Sequence, residues 1–427
     1  MKDPDEGWTA SEANQLRVLL GWKPEAFARR LEIHKRTVIR WRDGDTDPAV
    51  GLWDSLDNLL IEAARKLVPS LALDQLDKMN RRDILQILAA SIDIPLAGLD
   101  LLWNGLFTEI SSASLSSLED ISTVLASKYN TISSHTLLGS VTGHLEKASG
   151  LLRSGTMKPI QRQRLESIVA DAAIFVGVLS MQTGKLAQAD ASFGLAKKMA
   201  RQASNMTLLA QALAEEALLD YYEQSPENAN NDPRPRIDLL EEAQALANRH
   251  APPLVQMAIN GWLAEDKAVV KDGYSAAATL EESHVALEKV KLEGPVGVGF
   301  VSSAGSYSGW GDGKLEGFRG AVELMINPAG AISTIETSLQ LTENLRGRAT
   351  RLAYKAKALI ACKRAEEACG CLAEAHAIGI SEGSVTILHH VLSARVLMPP
   401  QWNTLRCVRQ LDNQLRSGWS RTAHSQS

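Results

Sequence analysis

Cysteine is scarce: four residues in 427 exclude a secreted disulfide scaffold and point to a reducing, cytoplasmic setting. An excess of positive charge is also lacking. Lysine and arginine number 45 against 50 acidic residues, a net charge of −5, which excludes a globally basic nucleic-acid coat but permits a local basic patch. The first eight residues are acidic and poor in apolar side chains, the opposite of a signal peptide. The most apolar long stretch, Ile84–Phe107, is broken by Asp93, Pro95 and Asp100, so no membrane span is expected. No long segment alternates apolar and polar residues as a strand would. Catalytic signatures are missing as well: no HExxH, no GxSxG and no acidic cluster with metal spacing, from which no catalytic residue, metal or cofactor is expected. Cys362, Cys369, Cys371 and Cys407 form no CxxC pair and read as small core residues.

What is present reads as helix. Ile168–Ala203, Leu208–Tyr222, Ile237–Asn248 and Ala349–Gly379 carry apolar residues at three- and four-residue spacing with abundant alanine. Ser225–Pro235 is a polar loop rich in Pro and Asn. Residues 108–142 hold fifteen Ser and Thr, a linker passing into helices of moderate propensity. Residues 294–320 hold nine of the 30 glycines and are the one stretch where helix is unsafe. Within it, Gly309–Lys314 lacks the spacing of a phosphate loop and suits a mobile connection bearing Phe300, Tyr307 and Trp310.

The densest signal lies in the first 60 residues. Pro24 suits the opening turn of a short helix. Phe27, Ala28 and Leu31 share one face of it, and Val38 and Trp41 share one face of the next segment. Two short helices joined by a tight turn bury these faces together. Lys35, Arg36, Ile39 and Arg40 are left outward. Between residues 23 and 42 stand seven basic groups and two acidic ones, a local charge of +5. Such a concentrated patch is what phosphate contact at one docking surface requires.

A second pattern follows. Gly177, Ala189, Phe193 and Ala196 are separated by 12, 4 and 3, as are Ala264, Ala276, Leu280 and Ser283, and again Ala356, Ala368, Leu372 and Ala375. Small residues at the first two positions let antiparallel helices approach, and the larger third packs between hairpins. This is the arithmetic of a tetratricopeptide-like repeat. Weaker copies are expected at Leu239, Ala243 and Leu246, and, with a one-residue slip, at Ala331, Ile335 and Ser338.

The run Phe27-Ala28, Leu31, Ile33, Thr37-Val38, Trp41, Gly44 and Pro48, trailed by Leu52, Leu56 and Leu59-Leu60, resembles the Cro/C1-type (XRE family) helix-turn-helix. The resemblance implies a recognition helix over Ile33–Arg42 in the DNA major groove, with Lys23, His34, Lys35, Arg36, Thr37, Arg40 and Arg42 as DNA contacts. Glu32 holds the turn position usual for glycine, so a left-handed residue is expected there. Joined to the repeats, the pattern resembles bacterial regulators of the Rgg/PlcR/PrgX kind and comparable actinobacterial quorum-sensing proteins. That likeness implies a homodimer, a double-stranded operator, and a repeat domain that senses a peptide or small-molecule effector. Asn205, Asn260, Asn344 and Trp310 are the groove contacts proposed for such an effector, the amides because each offers both donor and acceptor.

The expectation is therefore an all-α chain. A helix-turn-helix domain spans residues 1–65, a helical linker 66–114, a repeat domain 115–415 and a tail 416–427. The alternative is an adaptor whose solenoid binds a partner protein with no diffusible ligand. An enclosed groove favours the sensor, an open one the adaptor.

Overall fold

The structure, a computed structural model, describes residues 7–20, 22–42, 45–67, 84, 112–130, 132–154, 157–223, 232–293, 311–342 and 344–424. Most of the expected linker 66–114, the loop at 224–231, and the glycine-rich stretch as far as Trp310 lie outside these residues. The described residues are helical, without strands. The chain forms two compact units, Met1–Leu125 with Lys147–Gln161, and Ala126–Glu146 with Arg162–Ser427.

The first unit opens with α1 (Ala10–Leu19), started by a reciprocal cap in which Glu12 N donates to Thr9 Oγ1 and Thr9 N donates to a Glu12 carboxylate oxygen. Pro24 sits in the first turn of α2 (Pro24–Arg30), and α3 (Lys35–Arg42) follows. Glu32 adopts φ 57° in the turn between them, the left-handed conformation expected there. The Ile33 N–H closes that turn on Ala28 O at 2.9 Å. Phe27, Ala28, Leu31, Val38 and Trp41 share one core with Trp8, Leu16 and, from α4 (Trp53–Leu67), Leu56, Leu59 and Leu60. The Ser/Thr-rich stretch forms α5 (Ser112–Ser127) and enters α6 (Ser134–Ser154).

The second unit is a solenoid of tetratricopeptide-like helical hairpins. Its elements are α7 (Pro159–Gln182), α8 (Leu186–Gln202), α9 (Met206–Glu223), α10 (Arg234–His250), α11 (Pro253–Val269), α12 (Gly273–Glu293), α13 (Asp312–Ile326), α14 (Pro328–Leu341), α15 (Leu345–Ala361), α16 (Ala365–Glu382), α17 (Val385–Val396) and α18 (Arg406–His424). The final helix continues past 415, where a tail was expected. By length and composition α7 could cross a membrane, but 94% of its apolar window is buried by the helices packed around it.

The three strong repeats turn in one register. The residue seven positions beyond each leading small residue is left-handed: Gly184 at φ 78°, Lys271 at 64° and Lys363 at 61°. Each turn is closed by the same backbone bond, Lys185 N to Ser180 O at 2.8 Å, Asp272 N to Lys267 O at 3.1 Å and Arg364 N to Leu359 O at 2.9 Å. These turns split Ile168–Ala203 and Ala349–Gly379 into hairpins. Gly177 shows why the leading residue is small, since a Cβ there would stand 2.3 Å from the Phe193 ring. The slipped copy holds: Ala331, Ile335 and Ser338 are fully buried. The copy in α10 is corrected. Its buried stripe is Arg236, Leu240, Ala243 and Ala247, three residues upstream of the expected Leu239, Ala243 and Leu246. The spacing did not reveal this because a charged residue, Arg236, occupies the small position.

Candidate functional site

In the first unit, Lys23, His34, Lys35, Arg36, Arg40 and Arg42 are exposed and Thr37 is half-buried, while Val38 and Trp41 are buried. The helix begins at Lys35, two residues later than expected, because His34 caps it: its Nδ1 accepts from Arg36 N at 3.2 Å and its carbonyl from Thr37 N at 2.9 Å. Lys35 is engaged by Glu25, whose carboxyl is held below its usual range by that contact. Neither Arg36 nor Arg40 forms an ion pair among the described residues.

In the second unit, the first helix of each hairpin faces a shared interior cavity of about 410 Å³, within the range of small-molecule sites (~300–1,000 Å³). Its wall includes Val178 and Gln182 of α7, Glu215, Tyr221 and Tyr222 of α9, Trp262, Glu265 and Asp266 of α11, Lys314 of α13, Arg346, Arg351, Tyr354 and Lys357 of α15, and His390 of α17. The solenoid closes on itself around this space. Arg346 donates to the backbone carbonyls of Tyr129 and Ile132 and pairs with Glu382 at 3.2 Å, and its guanidinium lies over the Tyr129 ring.

The wall carries more charge than an apolar interior tolerates without compensation. Arg236, though buried, is gripped by Asp266 through Nε at 3.1 Å and Nη2 at 2.8 Å. Glu215 is buried, and burial pushes its pKa up to about 7 despite a 2.7 Å hydrogen bond from Gln211 Nε2. Burial raises Glu265 as well, although it accepts from Tyr354 Oη. Lys314 is lowered by burial and by the nearby Arg351 charge. His390 is lowered well below the usual imidazole value by burial and by surrounding cations, so it is neutral.

Of the amides expected to contact an effector, the cavity wall includes Asn344 but neither Asn205 nor Asn260. Asn344 Oδ1 caps α15 by accepting from Gly347 N at 2.6 Å. Asn205 Oδ1 accepts from Leu208 N at 3.2 Å, and Asn260 Oδ1 accepts from Gln244 at 2.9 Å. Trp310 lies outside the described residues. Sequence reading missed the charged wall, yet its register was in the repeat spacing. Val178, Glu265 and Lys357, each one position after a leading small residue, all line the cavity. Among the described residues no three His, Cys, Asp or Glu side chains cluster as metal ligands, and the Cys369 thiol is pushed up by burial and the neighbouring Cys407.

No family model matches the sequence, and no curated protein matches it. Among solved structures it is similar to the crystal structure of a Signal Transduction ATPase with Numerous Domains (STAND) protein with a tetratricopeptide repeat sensor from Pyrococcus horikoshii, at 12% identity and a TM-score of 0.29. The alignment covers 96% of this chain, which spans 65% of the length of that protein. The expectation of no enzymatic activity is corrected here, since the similar structure is titled an ATPase.

Proposed function

We propose that the chain is a ligand-responsive, DNA-binding transcriptional regulator of the XRE type, with α3 as recognition helix and the solenoid cavity as sensor. The observation that carries this reading is the outer face of α3. Arg36 and Arg40 stand exposed and, among the described residues, without carboxylate partners, on a helix anchored from behind by buried Val38 and Trp41. Two long cations on a fixed helix suit bidentate contact with guanine edges and with phosphates. The size of the cavity, about 410 Å³, supports a small-molecule effector over an extended peptide, and over the partner protein of an adaptor.

One compact recognition unit makes few contacts, so the active species is a homodimer on an inverted repeat, with half-sites about 34 Å apart or a multiple of that. The test is selection of binding sites from a random duplex pool by the full chain, followed by titration at several salt concentrations. An enriched inverted repeat with salt-dependent affinity is expected. No enrichment and no salt dependence would overturn the reading. Linkage adds a second readout: an effector that changes operator affinity must have its own affinity changed by operator DNA by the same factor, typically 5–150-fold.

A further inference from the structure

Arg351 is the least ordinary side chain in the cavity wall. It is 3% exposed, and its guanidinium crosses the backbone of Gly317, where a Cβ would lie 2.1 Å from Nε. Nε donates to Ser338 Oγ at 3.1 Å. Ser338 Oγ in turn donates to the Gly313 carbonyl, so the fork is held from α13 and α14 at once. Its two terminal nitrogens have no acceptor among the described residues, and no carboxylate pairs with it there. A guanidinium does not shed its proton, and Glu265, the carboxyl that acts on it, forms no ion pair with it among the described residues. Two turns along α15, Lys357 also lines the cavity without an ion pair among the described residues, its ammonium 5.7 Å from the Tyr354 ring centroid. Midway between them Tyr354 presents a flat face, joined across the space by Tyr221, Tyr222 and Trp262.

The nearby carboxyls do not cancel this field. Burial favours the neutral form of both Glu215 and Glu265, while Arg351 stays charged. Arg351 and Lys357 thus place positive charge beside the aromatic wall.

We infer that the cavity binds a small organic carboxylic acid with a flat body, its carboxylate received by the terminal nitrogens of Arg351, with Lys357 adding charge and the body stacked against Tyr222 and Tyr354. This rests on the reading of the cavity as an effector site. A planar fork with two unused donors fits a carboxylate bidentately, and the tyrosines and Trp262 supply apolar area with polar tips.

The experiment is calorimetric titration of the full chain with benzoate, 4-hydroxybenzoate and indole-3-acetate, each against its carboxamide, and with phenyl phosphate. At least one acid is expected to bind while its amide does not. Arg351→Gln should lower that affinity at least about tenfold, and Lys357→Gln by a smaller factor. Lys357 is half-buried and forms no ion pair among the described residues, so its variant keeps the test valid should Arg351→Gln not fold. Amides binding as tightly as acids, binding unaffected by either variant, or binding of phenyl phosphate alone would each overturn the carboxylate assignment, while leaving the cavity a ligand site. Binding by no probe at millimolar concentration would overturn it as well. The cavity reading itself is then judged separately, by native mass spectrometry of protein purified from its natural cells, where a bound species of any charge retains it.

Discussion

Tyr222 Oη lies 2.9 Å from His390 Nε2, joining α9 to α17 across 168 residues of chain. This pair helps close the solenoid around its cavity, and it does so with a neutral imidazole. Lys357, Lys314, Arg351 and His389 all oppose protonation of His390, and Tyr221, Tyr222 and Tyr354 pack around it. The folded pKa lies well below 6.5, so below that pH the unfolded chain takes up a proton that the folded chain refuses. Stability should then fall with decreasing pH, by about 1.4 kcal/mol per pH unit for this one group. Urea unfolding of the wild type and His390→Gln at pH 7.5 and 5.5 checks this. The variant should lose less stability between the two pH values, and an equal loss would remove His390 from the account.

The helical class, the leading small residues and the core of the first unit were legible because each follows from local spacing. Phe27, Val38 and Trp41 had to be buried once the two short helices were paired. The left-handed Glu32 was expected from the resemblance, which puts it at a turn position usual for glycine. The cavity was less legible for a physical reason: its wall gathers residues from α7, α9, α11, α13, α15 and α17, and no local pattern brings Tyr222 to His390. Arg236 misled for the opposite reason. Its position in the repeat calls for a small side chain, and carboxylates from neighbouring helices, Asp266 of α11 and Asp220 of α9, make an arginine tolerable there.

Glu215 sets an opposing slope. Its folded pKa of about 7 against an unfolded value near 4.5 means that the folded state retains a proton the unfolded chain has released. Stability should fall as pH rises between those values, by up to roughly 3 kcal/mol. Glu215→Gln keeps a hydrogen-bond partner for Gln211 and removes the penalty. Thermal unfolding should show the variant more stable than wild type at pH 8 and level with it at pH 4. A variant destabilised equally at both would show that the carboxylate is held by its surroundings.

Two glycines separate close approach from mere flexibility. Gly177→Ala forces a methyl group into the Phe193 ring, an overpacking expected to cost about 1–3 kcal/mol. Gly370 in α16 is exposed with nothing within 4 Å of an added Cβ, so Gly370→Ala should gain about 0.5–1 kcal/mol. Denaturant midpoints moving in opposite directions are the expected result.

In the turn before α3, Glu32 bears the cost of a left-handed backbone with a Cβ in place. Glu32→Gly should stabilise the first unit by about 0.5–1 kcal/mol, part of the gain being offset by the greater freedom of glycine in the unfolded chain. Hydrogen exchange of the Phe27 and Ile33 amides would report it locally. Faster exchange in the variant would mean that the turn is held by contacts of the Glu32 side chain.

The outer face of α3 gives the sharpest test of the DNA reading, because its cations differ in their engagements. Arg36→Ala and Arg40→Ala should each weaken binding to a selected operator by roughly 1–3 kcal/mol if they reach base edges, with helicity unchanged. Lys35 begins engaged by Glu25, so part of its attraction for phosphate is spent within the protein. Glu25→Gln releases it, and affinity should rise, with the slope of log affinity against log salt steepening by about 1. Operator binding undiminished in the Arg36/Arg40 double variant would remove α3 from the interface, and a salt slope unchanged in Glu25→Gln would place Lys35 away from the phosphates.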